Sequence, residues 1–281
     1  MAGPGAAIRL NVAAHFREYL DPDVKGKSQQ GYLWTYSRPG GDVLFEWRVS
    51  RSREGPEQFL KNFRGKLQTD GFSAYESLAR EHVGLTLVGC WAHVRRGFHE
   101  ALSESKVAAW FVGQIGLLYV MEKKLRAQRA GPRLRAAMRV WQSRPVLERL
   151  RRAMELVRRR TLPQGLLGQA IDYALKRWEA LTRFVEDGTL EIDNNLIENA
   201  IRPSALGKKN WLFVGHPEAG ERSAVIYTLL GSCRRHGINP FDYLKDLFTR
   251  LPATKITEIK AFTPAAWTRA NAKEKVIAQA A

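Results

Sequence analysis

The chain has 281 residues, of which 44% are hydrophobic, and it carries a formal net charge of +17. This length allows one large domain or two modest ones, and the apolar content argues against global disorder. We expect no membrane partner, because no apolar run reaches the roughly 18 residues that span a bilayer and no signal peptide is recognisable.

The first 91 residues alternate between strand and helix patterns. Runs of β-branched and aromatic residues predict strands, and the Pro-Gly-Gly-Asp turn at 39–42 joins two of them in a hairpin. The predicted strands are residues 7–13, 31–36, 43–49, 66–71 and 85–90, and the predicted helices between them are residues 57–63 and 73–80.

From residue 92 to about residue 185 the pattern is helical, with breaks at 131–132, Pro145 and Pro163. Strands followed by a long helical block predict an α/β core that carries a large all-helical insertion. Two further helices are predicted within 218–250. The predicted division is the first part of the core at 1–91, the basic helical insertion at 92–185, the second part of the core at 186–250, and a C-terminal tail at 251–281.

Positive charge is concentrated in the helical block. Residues 122–160 contain fourteen Lys and Arg residues against three Glu residues, a local net charge of +11. A solvated helical surface is one interpretation of such a segment. The density of cations favours the other interpretation, a surface that contacts the phosphate groups of a nucleic acid.

The segment IDNNLIENAIRP at 192–203 has apolar residues spaced for one face of a helix. On the opposite face, Asn194, Glu198 and Arg202 follow each other at intervals of four, which sets a carboxylate beside a guanidinium. Asp193 is expected to cap this helix and Pro203 to end it. The basic segment GKKNWLF follows at 207–213, either as a turn leading into a buried strand or as a DNA contact.

Asp70 is the second carboxylate of interest, because it ends a predicted strand, where α/β proteins often carry functional side chains. Taken singly, Asp70 is more simply explained by a turn and Glu198 by a solvated helix. In combination they suggest metal-assisted phosphoryl transfer, in which Asp and Glu oxygens hold Mg²⁺ or Mn²⁺.

Cysteine usage argues against a zinc site. The only two cysteines are Cys90 and Cys233, and the Cys-x-x-His pair of Cys90 and His93 supplies two ligands where a structural zinc ion needs four. A structural or DNA-proximal role for this pair is the simpler interpretation. Two thiols also fit a reducing, cytosolic compartment.

Four segments carry a specific resemblance: LQTDG at 67–71, GCWAHVRR at 89–96, IDNNLIENAIRP at 192–203 and GKKNWLF at 207–213. They resemble the transposases of the insertion-sequence-66 family, and the similarity covers roughly residues 18–270. The resemblance implies a ribonuclease-H-like mixed sheet with a helical insertion. It also implies a catalytic Asp-Asp-Glu set that holds divalent metals, in which Asp70 matches the second acid and Glu198 the third.

The resemblance further implies DNA as the partner, both the transposon ends and the target, bound by a homo-oligomer in the bacterial cytoplasm at the nucleoid. Mg²⁺ or Mn²⁺ would be the cofactor for cleavage and strand transfer. Cations would neutralise phosphates and an indole would stack on an unpaired base. The expected DNA contacts are Arg95, Arg96, Arg202, Lys208, Lys209 and Trp211.

The chain departs from the family at the first acid. In the family this acid lies on the first strand, shortly before landmarks that occur here at 21–23 and 31–34. Counting back from them reaches Ala13, so the set lacks one carboxylate and its activity is expected to be impaired. Glu18, Asp21 and Asp23 are expected in a loop after that strand. The family's N-terminal DNA-binding region, with its cysteine-rich metal site, is expected to be missing here.

Three functional hypotheses follow. The first is a DNA transposase catalytic region with impaired cleavage, and the second is a non-catalytic DNA-binding remnant of such an enzyme. A structural RNA-binding protein is the third, and it depends on charge alone.

Overall fold

The computed structural model describes residues 9–20 and 27–270. These residues divide into two compact units. The central unit is essentially Phe59–Asn195, and the flanking unit combines Leu10–Gln58 with the chain from Leu196 onward.

Both units contain strands and helices, and the elements of the described ranges follow in chain order. The strands are β1 (Arg9–Leu20), β2 (Ser28–Ser37), β3 (Val43–Arg48), β4 (Gly65–Gln68), β5 (Leu85–Val88) and β6 (Phe213–Val214). The α-helices are α1 (Glu54–Leu60), α2 (Ser73–Glu81), α3 (Trp91–Glu100), α4 (Val107–Ala127), α5 (Pro132–Met138), α6 (Arg144–Arg158), α7 (Leu166–Lys176), α8 (Trp178–Thr182), α9 (Asn195–Trp211), α10 (Pro217–His236) and α11 (Pro240–Arg250).

The flanking unit is built on a mixed sheet. β1 and β2 are antiparallel, β2 and β3 form the predicted antiparallel hairpin, and β6 runs parallel to β1. Helix α10 packs against β3, where the Thr228 hydroxyl accepts from the backbone amide of Phe45 at 2.8 Å and the Ser232 hydroxyl accepts from that of Val43 at 3.1 Å. These hydroxyls satisfy backbone groups of a strand that would otherwise present an open edge.

The central unit pairs β4 and β5 in parallel, with α2 between them in the chain. Every element from Trp91 to Val185 is helical. The core of this unit is aromatic and aliphatic, and within it the rings of Phe98 and Phe111 stack at a centroid distance of 4.6 Å. The prediction of an α/β fold with a mixed sheet is therefore confirmed.

Two predictions about local structure are wrong. Helix α9 does not end at Pro203 but continues through it to Trp211, so Lys209 is helical rather than part of a turn. The burial of Ile197 and Ile201 stabilises the helix before the proline and offsets the missing backbone hydrogen bond. Trp211 does not begin a buried strand, because it is the last helical residue and its side chain is 63% exposed.

The third correction concerns β1, which extends to Leu20. Glu18 therefore lies in the strand, opposite Gln30 of β2 and Phe213 of β6, rather than in a loop. Asp21 and Asp23 lie outside the described residues. Among the helices that are described, none combines the length and the apolar character needed to cross a membrane.

Candidate DNA-binding and metal site

Asp70 lies in a tight bend just after β4. Its Oδ1 accepts from the backbone amide of Phe72 at 3.0 Å, and the Thr69 hydroxyl accepts from the amide of Gly71 at 3.2 Å. Gly71 has a φ of +87°, a left-handed conformation that favours glycine. Asp70 therefore follows the carboxyl end of a strand, as predicted, and its carboxylate also closes the turn that an Asp-Gly pair favours.

Helix α7 holds this bend in place. The Tyr173 hydroxyl donates to the Asp70 carbonyl at 2.6 Å, and Arg177 Nη2 donates to the Gly71 carbonyl at 2.8 Å. A Cβ atom on Gly71 would stand 2.5 Å from Arg177 Nε and 2.8 Å from the Tyr173 hydroxyl. The glycine is thus required both by its φ and by the close approach of these two side chains.

The start of the IDNNLIENAIRP segment lies at the same edge of the central unit. Gln68, the last residue of β4, donates from Nε2 to the carbonyls of Gly89 at 3.2 Å and Glu191 at 2.9 Å. Beyond β5, the backbone amide of Trp91 donates to the carbonyl of Ile192 at 3.1 Å. The structure therefore brings the Asp70 bend and this segment together across the ends of β4 and β5.

The beginning of α9 is capped as predicted. Asp193 is buried, and its carboxylate accepts from the backbone amide of Asn195 at 3.1 Å and from the Asn195 side-chain amide at 2.8 Å. The backbone amide of Asn194 donates to Cys90 Sγ at 3.3 Å. Burial raises the pKa of Cys90 to about 12 and so keeps the thiol protonated. Cys90 is therefore a buried, protonated thiol that contacts the segment leading into α9.

A buried ion pair that the sequence did not reveal anchors the segment leading to α9. Arg139 donates to both carboxylate oxygens of Glu122, at 2.6 and 2.8 Å, and both side chains are fully buried. The remaining donors of the guanidinium bind the carbonyls of Phe184 at 2.8 Å, Asp187 at 3.1 Å and Leu190 at 2.9 Å. All five N–H groups are used, so Arg139 fastens residues 184–190 to the helical block.

Glu198 lies on α9 in the flanking unit, whereas Asp70 lies in the central unit. Because α9 continues past Pro203, Arg202 and Lys209 follow Glu198 along the same helical face. Both cations are exposed. The helix thus presents a carboxylate and two cations in one row. This row is longer than the one predicted from the sequence, because the helix is longer.

Ala13, the position at which the family resemblance places the first acid, is buried in the flanking unit. It pairs with Thr35 of β2, its side chain is 3% exposed, and it belongs to the same apolar cluster as Ile197 and Ile201. Those two residues flank Glu198 along α9. A methyl group therefore occupies a site beside the helix that carries the predicted third acid.

The remaining predicted DNA contacts are distributed over both units. Arg95 and Arg96 are exposed on α3, and Lys208 lies within α9, although its side chain is outside the described part of the chain. In the segment 122–160 most cations are exposed, while Arg139 is buried and Arg135 donates to Glu122 and Glu191. The described residues contain no group of three or more His, Cys, Asp or Glu side chains arranged to hold a metal ion.

The two family models that match leave little of the chain uncovered. The model described as "Transposase IS66 family" matches residues 18–222, and the "IS66 C-terminal element" matches residues 228–265. Three proteins of Sinorhizobium fredii are also similar to the chain. The uncharacterized protein y4qI is 34% identical over 256 residues, which cover 85% of this chain and 47% of that protein.

The other two relatives have a similar level of identity and are also matched over about half of their length. The uncharacterized protein y4jD is 35% identical over 235 residues, 80% of this chain and 45% of its own length. The uncharacterized protein y4hP is 29% identical over 280 residues, 91% of this chain and 50% of its own length. The chain therefore spans about half the length of the curated relatives it matches, and it belongs to the IS66 family of transposases.

Proposed function

We propose that this chain is the catalytic region of a DNA transposase for an insertion sequence, and that its metal-dependent cleavage and strand transfer are impaired at the first acid. Family membership supports the transposase role. The impairment is supported by Ala13, whose buried methyl group packs in the same cluster as the residues that flank Glu198.

A ribonuclease-H-like core is part of this proposal. Along the chain, three antiparallel strands are followed by two parallel strands that alternate with helices. The helical segment from Trp91 to Val185 then separates the elements that carry Asp70 and Glu198. This succession supports a core interrupted by a helical insertion.

Asp70 and Glu198 are the proposed ligands of Mg²⁺ or Mn²⁺, since carboxylate oxygens suit these hard cations. A pair of such ions activates the attacking oxygen and stabilises the leaving oxygen in phosphoryl transfer. The residues present fit this role only in part. Ala13 offers no oxygen ligand, and Asp70 Oδ1 already accepts from the amide of Phe72. The donor set is incomplete for two metals, so we expect weak metal binding and little cleavage.

DNA is the proposed partner, bound mainly through phosphate contacts. Support comes from the row formed by Arg202 and Lys209 on α9, from Arg95 and Arg96 on α3, and from the exposed cations of 122–160. Contacts of this kind position a protein on DNA without specifying sequence. Binding should therefore be salt-dependent and largely independent of sequence.

The test is a nicking and strand-transfer assay with Mn²⁺ and terminal-repeat DNA. The proposal predicts DNA binding with little cleavage by the natural chain, and a gain of cleavage in the variant Ala13→Asp. Strong cleavage by the natural chain that Asp70→Ala abolishes would contradict the impairment. The second candidate function, a non-catalytic DNA-binding remnant, is favoured by the same methyl group at Ala13, and it predicts that Ala13→Asp binds DNA but still does not cut it.

A further inference from the structure

Helix α4 is apolar on both sides for most of its length, yet only one side is buried within the chain. Phe111 and Ile115 are fully buried in the core of the central unit. On the other side, Trp110, Leu117 and Val120 are 41%, 47% and 51% exposed. A helix that is apolar all round is normally buried all round. The exposed side of α4 therefore suits contact with another molecule.

The exposed residues of α4 lie along one line of the helix. Trp110, Gly113, Leu117 and Val120 follow each other at intervals of three or four, and all four are exposed. Residues at this spacing share one helical face. We call these four residues the α4 stripe. An apolar line of this kind is the surface that one amphipathic helix presents to another.

Two glycines lower the surface of α4 at this stripe. On α3, Gly97 permits close packing, because a Cβ atom there would stand 3.3 Å from the Cβ of Ala170 on α7. On α4, a Cβ atom on Gly113 or on Gly116 would meet nothing within 4 Å. Glycine disfavours a helix relative to alanine, so these two positions weaken α4 and gain no packing from the described residues in return. They leave room for a second helix to approach closely.

A groove with about 230 Å³ of accessible space lies beside the stripe, between α4 and the start of α6. Its apolar walls include Leu117 and Val120 of α4 and Val146 of α6. Ser143 also lines the groove, and its buried Oγ has no hydrogen-bond partner among the described residues. Ser143 ends the π-helical turn Arg139–Ser143, and such turns are frequent at functional sites. Since buried hydroxyls normally have a partner, the groove retains the capacity for one more hydrogen bond.

A lysine stands at each end of the α4 stripe. Lys106 lies four residues before Trp110, Lys124 lies four residues after Val120, and both lysines are exposed. Lys124 also lines the groove. At a rise of 1.5 Å per residue, the two lysines are about 27 Å apart along the helix. A molecule that covers the stripe would therefore meet a cation at each end.

We propose that the α4 stripe and its groove bind an amphipathic helix of another protein, with apolar residues along one face and acidic residues at both ends. The apolar face covers Leu117 and Val120, and Gly113 admits it closely. Its carboxylates pair with Lys106 and Lys124. This inference goes beyond the proposed function, because it does not require that DNA be bound.

The lysines argue against two other occupants of the stripe. A second copy of the chain would bring Lys106 against Lys124 in an antiparallel pair, and each lysine against its own counterpart in a parallel pair. DNA would neutralise both lysines but leave the apolar residues uncovered, because its backbone offers charged phosphates. A helix with an apolar face and acidic ends satisfies both features.

The experiment measures the binding of a synthetic helical peptide to the full chain by fluorescence anisotropy. The probe has about 20 residues, enough to span both lysines, with leucines along one face and glutamates at both ends. The control peptide has alanine in place of each leucine, so that it keeps the charge and the helix propensity. We expect the leucine peptide to bind at least about tenfold more tightly, because its leucines become buried. Equal binding of the two peptides would overturn the proposal.

Two variants and one control locate the binding. Leu117→Glu sets a charge on the stripe, and Gly113→Gln fills the space left for the partner while favouring the helix. Both should lose the preference for the leucine peptide. The control is Leu162→Glu, an exposed leucine outside α4 and the groove, and it should keep the preference. A preference that survives in either stripe variant, with the fold verified by circular dichroism, overturns the site.

An exchange of charges tests the acidic ends of the partner. The double variant Lys106→Glu with Lys124→Glu should bind the leucine peptide several-fold more weakly, and it should prefer a leucine peptide whose ends are lysines. A double variant that still prefers glutamate ends would overturn the acidic partner.

Two further measurements detect the other occupants. A dimer in sedimentation experiments that Leu117→Glu dissociates would assign the stripe to a second copy of the chain. Binding to anionic lipid vesicles that Leu117→Glu abolishes would assign it to a membrane surface. Either result overturns the proposal, whereas a stripe that takes part in neither supports it.

Discussion

Arg139 Nε donates to Glu122 Oε1 at 2.6 Å, and both side chains are fully buried between helices of the central unit. Burial alone would raise the pKa of Glu122, but hydrogen bonds and charges from Arg139 and Arg135 outweigh it and lower that pKa. The pair therefore stays ionised in the core. It also ties residues 184–190, which lead into α9, to the helical block.

Removing one partner of the Glu122–Arg139 pair should lower the free energy of unfolding far more than replacing both partners. Arg139→Met leaves the buried Glu122 carboxylate with Arg135 alone, at 3.2 Å, and we expect a loss of about 3–5 kcal/mol in the free energy of unfolding. The double variant Glu122→Leu with Arg139→Met should recover most of that loss. Urea unfolding followed by circular dichroism measures both. A double variant as unstable as the single one would show that the carbonyl contacts, not the charge pair, dominate.

The same pair should make the free energy of unfolding depend on pH, with a loss of stability in acid. The folded-state pKa of Glu122 lies below its unfolded value, so its contribution to stability is present above the unfolded pKa. That contribution is lost as the pH falls through the folded pKa, in the acid range below about 4.5, the ordinary glutamate value. The natural chain should therefore lose stability more steeply than the double variant in acid. Parallel stability curves for the two proteins would refute this.

Pro203 inside α9 should lower the free energy of unfolding by a measurable amount. Its ring removes one backbone hydrogen bond from the middle of a 17-residue helix, so Pro203→Ala should raise the free energy of unfolding by about 1–3 kcal/mol. Pro240→Ala is the matched control, because Pro240 is the first residue of α11, where proline is favourable. We expect no gain from the control, and a comparable loss in both variants would argue against a strained α9.

Gly71 should be more sensitive to substitution than Gly40. Both have a positive φ, but a Cβ atom on Gly40 meets nothing within 4 Å, whereas one on Gly71 meets Arg177 and Tyr173. Gly71→Ala should therefore cost about 1–3 kcal/mol more than Gly40→Ala in urea unfolding. Equal costs would mean that the bend holding Asp70 is free to shift.

Local sequence patterns correctly predicted the elements in which local propensity and tertiary packing favour the same structure. The β2–β3 hairpin follows from aromatic and β-branched runs on both sides of a Pro-Gly-Gly turn, and α2 follows from its apolar spacing. The family resemblance assigned roles to Asp70, Glu198 and Ala13. Ala13 lies on β1 and Glu198 on α9, as predicted, while Asp70 lies in the bend after β4 rather than in the strand itself.

The failures have a common physical cause, which is packing between distant segments. Pro203 predicts a helix end on local grounds, and only the burial of Ile197 and Ile201 shows why the helix continues. Arg17 and Glu18 are both charged, so the sequence did not predict that the second half of β1 is a strand. In the fold, however, Arg17 is buried. Glu122 and Arg139 are separated by the break at 131–132, so no periodic pattern could pair them.

DNA binding should weaken steeply with salt. If Lys123 and Lys124 of the basic helical block contact phosphates, the double variant Lys123→Gln with Lys124→Gln should reduce the slope of log K against log salt by about 2. Both side chains are exposed, so the fold should be unaffected. The control variant is Lys61→Gln, an exposed lysine outside the helical block. An unchanged slope in the double variant would remove this block from the proposed DNA surface.

Impairment at the first acid is tested most directly by Mn²⁺-dependent nicking of terminal-repeat DNA by three proteins: the natural chain, Ala13→Asp, and Ala13→Asp combined with Glu198→Ala. We expect little nicking by the natural chain, clear nicking by Ala13→Asp, and its loss in the combined variant, because the added carboxylate completes the acid set that Glu198 belongs to. Robust nicking by the natural chain, or nicking by Ala13→Asp that survives the loss of Glu198, would contradict the proposed function.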